Sequence, residues 1–315
     1  VEELKHQIRM QATANVFQTM GTEGSGAKVI EQFKSMPDEL LDMLGTNAGI
    51  KKEHLPIYRK LTRGEENDFT EKLQNFKDEL KTGDIILVTG TSNSSKVLAK
   101  LQKTVYSKAR SSHVVIVLAD FICIDAMPNI GVSLKLIPEV LNDVQEGWRI
   151  IRFKGLQEKD SELLSKTCAY YIEQPYIILP KKKPAKKFSY CSELARKVYL
   201  DSKIKNTGIP NNTIIKPCDF DKIADQNSQW LDVTDSVKPY VEFCIEYEGV
   251  LKFIAKSFTQ GIELNRQRFS ERRKVKENVS KMHKKGVITD SGAAQIKNKI
   301  ELLEKSLNYK FWDYQ

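Results

Sequence analysis

Two short segments supply the side chains of a thiol nucleophile site. Ser112-His113-Val114-Val115-Ile116-Val117 places a histidine at the mouth of an apolar run, and Ser189-Tyr190-Cys191-Ser192-Glu193-Leu194 places a cysteine at the start of a helix. A cysteine attacks as its thiolate, so a catalytic thiol needs its pKa lowered. With Ser189 as N-cap, Cys191 falls in the first helical turn, where unpaired backbone N–H groups and the helix dipole favour negative charge. The same N–H groups can hold the oxyanion of a tetrahedral intermediate. The base is a histidine. Only four histidines occur, and His6, His54 and His283 lie in the flanking segments, so a central Cys/His pair must use His113.

The imidazole needs an acceptor to orient it. Asp125, on the next apolar run, is the candidate. If the turn between the runs is centred on Asp120, residue 115 lies opposite residue 125. His113 and Asp125 are then diagonal neighbours on one face, about 7–8 Å apart at the backbone. If the turn is centred between residues, the parity flips and Asp125 faces away. Asp120, inside the turn, is the weaker substitute. Position alone also fits the plainer reading of a packing cysteine and an ordinary strand histidine. Glu193 beside the thiol is explained by the helix dipole alone.

The elements that must position these residues begin at Gly83. Before it, residues 1–82 read as helical, with a break at Gly21–Gly26. One helix begins near Pro37 and ends at Gly45, and another over Glu65–Leu80 has Phe69, Leu73, Phe76 and Leu80 as its stripe. After it, Asp84–Val88, His113–Leu118, Phe121–Ala126 and Trp148–Phe153 read as strands. Helices are expected over about Lys96–Lys108, Ser161–Glu173 and Cys191–Leu200, and a turn with a short helix over Pro210–Asp225. Trp230–Val233 and Tyr240–Tyr247 read as late strands. From about Ile262 the pattern is a helical hairpin, with Gly286 ending its first helix, Asp290 or Ser291 capping the second, and Ile296, Ile300, Leu303 and Leu307 as the second helix's stripe.

Bulk properties narrow the classes. The chain is 40% hydrophobic and 29% charged, and no stretch approaches the roughly 18 apolar residues of a membrane span. No basic-then-apolar leader opens it, so the expectation is a cytoplasmic protein or a delivered effector. The five cysteines are odd in number and widely spaced, without zinc spacing, which argues against a disulfide framework or a metal site. No cofactor is expected. Of the +9 net charge, +8 falls in residues 252–315, with 15 Lys/Arg against 7 Asp/Glu. That tail, and the Lys181–Lys187 loop, could meet an anionic membrane or an acidic partner. Nucleic acid is disfavoured, because the tail's aromatic residues are not interleaved with its basic ones.

The order Gly83-Asp84-Ile85-Ile86, then Ser112–Val117, then an acidic residue on the next strand, then Tyr190-Cys191-Ser192-Glu193-Leu194, resembles the circularly permuted branch of the NlpC-type papain-like cysteine hydrolases, the YiiX/YaeF-like group in particular. The resemblance covers roughly residues 83–235, including Ile214-Ile215-Lys216-Pro217-Cys218-Asp219-Phe220 before a short helix. It implies an α+β fold: a papain-like core over 83–255 with an antiparallel sheet packed on the nucleophile helix, a helical N-terminal arm over 1–82, and a basic helical hairpin over 256–315. It also implies Cys191 as nucleophile, His113 as base and Asp125 as third polar residue. The implied activity is cleavage of an amide bond, in a peptide or peptidoglycan stem peptide, through an acyl-enzyme. Acyl transfer or fatty-acyl hydrolysis is the alternative, and an interaction module working through the basic tail is the non-enzymatic one. Two departures bear on substrate: Pro175-Tyr176 is followed by Ile177 where the family often has Asp, and the Lys181–Lys187 loop reads as an insertion.

Overall fold

The computed structural model describes residues 31–178, 182–184 and 187–306. The expected Gly21–Gly26 break, His6, Leu307 and part of the Lys181–Lys187 loop lie outside these residues. Six strands form one antiparallel sheet in the order β4-β3-β2-β1-β5-β6: β1 Ile85–Val88, β2 His113–Ala119, β3 Ile122–Met127, β4 Gly131–Leu136, β5 Arg149–Phe153 and β6 Trp230–Asp232. The central strands are buried on both faces, which is why β1 reads as an unbroken apolar run and not an alternating one.

Helices cover both faces. On one side Val114, Ile116, Leu118, Ile124 and Ala126 pack against α6 (Glu158–Tyr171), α7 (Cys191–Asp201) and α8 (Pro217–Gln226). On the other, Val115, Val117 and Cys123 meet α1 (Asp38–Asn47), α2 (Leu55–Arg63), α3 (Asp68–Gln74), α5 (Ile137–Leu141), α9 (Thr234–Glu246) and the start of α10 (Glu248–Lys284). Helix α4 (Asn93–Gln102) follows β1, and α11 (Asp290–Ser306) folds back along α10.

Several elements differ from the sequence reading. Tyr240–Glu246 is helical, within α9, with Tyr247 the turn residue after it, because Val237, Tyr240, Val241 and Cys244 recur at three and four residues and are all buried. β4 has no counterpart in the sequence reading; its Ser133-Leu134-Lys135 stretch is only partly buried, so it lacks the apolar run of its neighbours. Gly45 does not end its helix. It lies inside α1, where Leu55 and Tyr58 pack so close that a Cβ would come within 2.8 Å of Leu55. The helix over Glu65–Leu80 stops at Gln74. The hairpin's first helix starts not at Ile262 but at Glu248, and it runs unbroken across residue 256.

Candidate functional site

The β2–β3 turn decides whether Asp125 can reach His113. Ala119 pairs with Ile122, leaving a two-residue turn with Asp120 at φ +48°. Continued regularly, that pairing would set residue 125 opposite residue 116 and aim Asp125 away from the histidine. The register instead shifts between Val117 and Ala119, and the next pairs are Val117↔Cys123 and Ile116↔Ile124. One extra residue, Leu118, restores the parity of a turn centred on Asp120. His113 and Asp125 share a face, and His113 Nε2 lies 2.6 Å from Asp125 Oδ1. That bond leaves Nδ1 for the thiol.

Cys191 comes from the other layer. Helix α7 starts at Cys191, with Tyr190 as the N-cap residue. Ser189 is therefore not the cap, and its hydroxyl donates instead to Gln174 Oε1 at 2.8 Å. As the first residue of α7, Cys191 stands among backbone N–H groups that have no partner within the helix. The His113 ring and the Val114 backbone N–H are near enough to act electrostatically on its sulfur. The β2–β3 pairs stop at Ile116↔Ile124, so Val114 lies beyond the end of that ladder.

The electrostatics follow from these contacts. Burial pushes the Cys191 thiol up, but the adjacent His113 charge and hydrogen bond and the Val114 N–H outweigh it, and the thiol sits below its ordinary range. Burial likewise opposes a charged His113, yet Asp125 and Cys191 hold the imidazole well above its usual value. Asp125 is itself lowered despite burial, by His113 and by Lys135, whose Nζ is 3.6 Å from Oδ2. Each of the other four cysteines is pushed up, chiefly by burial, Cys218 to about 11 and Cys244 to about 12. The His113 side chain keeps 19% of its surface exposed against 3% for Asp125, so the ring has a solvent side.

A second layer of polar contacts holds the segment beside the thiol. Gln174 Oε1 accepts from Lys197 Nζ as well as Ser189, and Lys197 Nζ also donates to Phe188 O at 2.8 Å. Tyr176 bridges to Ser189, and its phenol is raised to about 12 by burial and by the Cys191 and Asp125 charges. The β3–β4 turn sits against this segment, because Gly131, at φ +87°, lets Gln174 O approach to where a Cβ would be 2.5 Å away. Tyr190 Oη and Ser192 Oγ both donate to Ile215 O, tying the start of α7 to the segment before Pro217. Glu193 is not explained by the helix dipole: it is 1% exposed and ion-paired with the equally buried Arg196.

No protein-family model matches the chain. No curated protein matches it. Among solved structures it is similar to the crystal structure of the metalloprotein YiiX from Escherichia coli O157:H7 (DUF1105), at 20% identity and a TM-score of 0.38, over 49% of this chain and 96% of that one. The link to a YiiX-like fold is weak. Among the described residues here, no group of three or more His, Cys, Asp or Glu could hold a metal ion.

The sequence reading named Cys191, His113 and Asp125; the structure bonds His113 to Asp125 and sets Cys191 within the electrostatic reach of both, while Asp120 stays in the turn. Lys135, Tyr176 and the Val114 N–H were not anticipated. Lys135 became visible only with β4, whose Asp125↔Ser133 and Cys123↔Lys135 pairs set it diagonal to Asp125.

Proposed function

We propose that the chain is a thiol-dependent hydrolase on a papain-like core, acting on an acyl group held as an amide or ester. The observation that carries this reading is selectivity among five buried thiols: only Cys191 is lowered, and the neighbour that lowers it is an imidazole backed by a carboxylate at 2.6 Å. In the first step the Cys191 thiolate attacks the acyl carbonyl and forms a C–S bond. The oxyanion takes hydrogen bonds from the free N–H groups at the start of α7. As the C–N or C–O bond breaks, the His113 imidazolium gives its proton to the leaving nitrogen or oxygen. In the second step His113 takes a proton from water, which attacks the thioester and releases the acid with the thiol re-formed. Asp125 orients the ring and stabilises its charged form. Amide cleavage is the first reading. Lipid-borne acyl groups are the second, favoured by the exposed apolar side chains around the site.

Alkylation by iodoacetamide, mapped by mass spectrometry, tests the chemistry. Below the ordinary thiol range, at about pH 6 to 7, Cys191 is expected to react selectively, and His113→Ala to slow it by at least ~10-fold. Uniform labelling of all five cysteines, or labelling indifferent to His113, would refute the proposal.

A further inference from the structure

Helix α4 has three distinct sides. Ala99 and Gln102 are buried against the body, and Gln102 ties the helix to the histidine strand by donating to Ser111 O at 3.0 Å while accepting from Cys218 N at 2.7 Å. Lys96, Lys100 and Lys103 recur at three and four residues along a second side. Val97, Leu98 and Leu101, continued by Val105 just past the helix, form a third, and all four are exposed. Between Thr91 and Ser112 there are five basic residues, with Lys108 and Arg110 added, and no acidic one.

Three more exposed apolar side chains stand at the same end of the sheet. Ile130 lies in the β3–β4 turn that packs on Gln174. Ile178 is two residues past Tyr176. Ile214 adjoins Ile215, whose carbonyl anchors the start of α7. Their exposure runs from 40% at Ile214 to 68% at Ile178. The basic Lys182, Lys183 and Lys187, also exposed, lead into Ser189. Exposed apolar residues flanked by lysines are the composition of a surface that enters the headgroup layer of an anionic bilayer, and the acids that border this one, Asp143 beside Thr91, Asp225 on Tyr106 and Glu173 beside Gln174, lie outside the α4 stretch. A second copy of the chain would bring these lysines against their like.

We propose that the Cys191 end of the sheet is a membrane-docking face for anionic lipid, with α4 as the inserted helix, so that the acyl group reaching Cys191 is one carried by lipid. The docking face stands on its own residues; the lipid-acyl substrate rests on the thiol reading above. With an ester, the covalent step is unchanged: the C–S bond forms, the C–O bond breaks, and the alcohol oxygen takes the proton from His113.

Flotation of the full chain, carrying Cys191→Ser so that chemistry is silent, tests the face. The vesicles are phosphatidylcholine alone, or with about one quarter phosphatidylglycerol. Binding is expected only to the anionic vesicles. Both Val97→Glu/Leu101→Glu and Lys96→Glu/Lys100→Glu/Lys103→Glu should weaken it at least ~10-fold, since each basic residue near such a surface is worth about fivefold. These positions are exposed, and circular dichroism checks that the variants fold. Arg268→Glu/Arg272→Glu in the basic hairpin should leave most binding intact. No binding, binding lost only through the hairpin, or a dimer that Val97→Glu/Leu101→Glu dissociates would each overturn the docking face. If docking holds but iodoacetamide finds no selective Cys191, the thiol reading fails and the face remains.

Discussion

Asp125 serves two cations at once. Its Oδ1 is 2.6 Å from the His113 ring and its Oδ2 3.6 Å from the Lys135 ammonium. Cys191, Tyr176 and Cys123 are the other titratable groups that feel this carboxylate. Lys135 draws off part of the carboxylate's field and adds a positive charge near the ring, so it opposes protonation of His113. On the proposed thiol mechanism, the thiolate–imidazolium pair exists between the depressed Cys191 pKa and the raised His113 pKa. Lys135→Met should move the alkaline limb of the activity profile up by about half to one pH unit and leave the acid limb nearly in place. Lys135→Arg should restore the parent profile, and an unmoved alkaline limb would reduce Lys135 to a packing role. At this scale the sequence pointed to Cys191, His113 and Asp125, because a strand-mouth histidine, a helix-start cysteine and an acid on the facing strand are all local patterns. Lys135 and the Val114 N–H depend on register and on where a ladder stops, which no local pattern records.

Helix α7, which carries Cys191, is the element with most at stake. Helix α7 is buried along nearly its whole length, and its buried residues include Glu193, Arg196 and Lys197. Arg196 pairs with Glu193 and donates to Thr213 O at 2.6 Å, joining α7 to the segment that precedes Ile215. From sequence Glu193 is explained by the helix dipole alone, and nothing local marks Arg196 as its partner. Only the layers on either side turn the two into a buried pair. Arg196→Met strands the Glu193 carboxylate in the interior and should cost ~3–5 kcal/mol in urea denaturation. The double variant Glu193→Gln/Arg196→Met should recover much of that, because no uncompensated charge is left behind. Equal losses in both would mean that Arg196 acts through its carbonyl contacts instead. The misread of Tyr240–Tyr247 has the same origin: a short, densely apolar stretch carries both periods, and burial against α1–α3 selects the helix.

Across the whole molecule, the helices before Gly83, α9 and the start of α10 form one layer. Phe69 packs on Phe243 and Tyr247 with ring centroids 5.2 Å away in each case, Tyr58 meets Phe253 edge-on at 4.7 Å, and Phe76 meets Tyr240. Leu41, Tyr58, Phe69 and Leu80 are each 2% exposed or less, in the same core as Val115, Val117 and Cys123 on the back of the site strands. The sequence reading sees two amphipathic helical stretches but not that they cover a sheet face, because the faces that match are some 170 residues apart. Burying such a side chain is worth ~1.5–3 kcal/mol, so four of them rival the ~5–15 kcal/mol that holds a domain together. A fragment of residues 83–255, which also cuts α10 in its first turns, should lack a cooperative thermal transition and should expose apolar surface to a dye such as ANS. A fragment of 31–284 should keep the transition and the selective reactivity of Cys191. If 83–255 unfolds cooperatively at a comparable temperature, the front layer of α6–α8 suffices to hold His113 and Asp125 in register, and the N-terminal helices are an appendage.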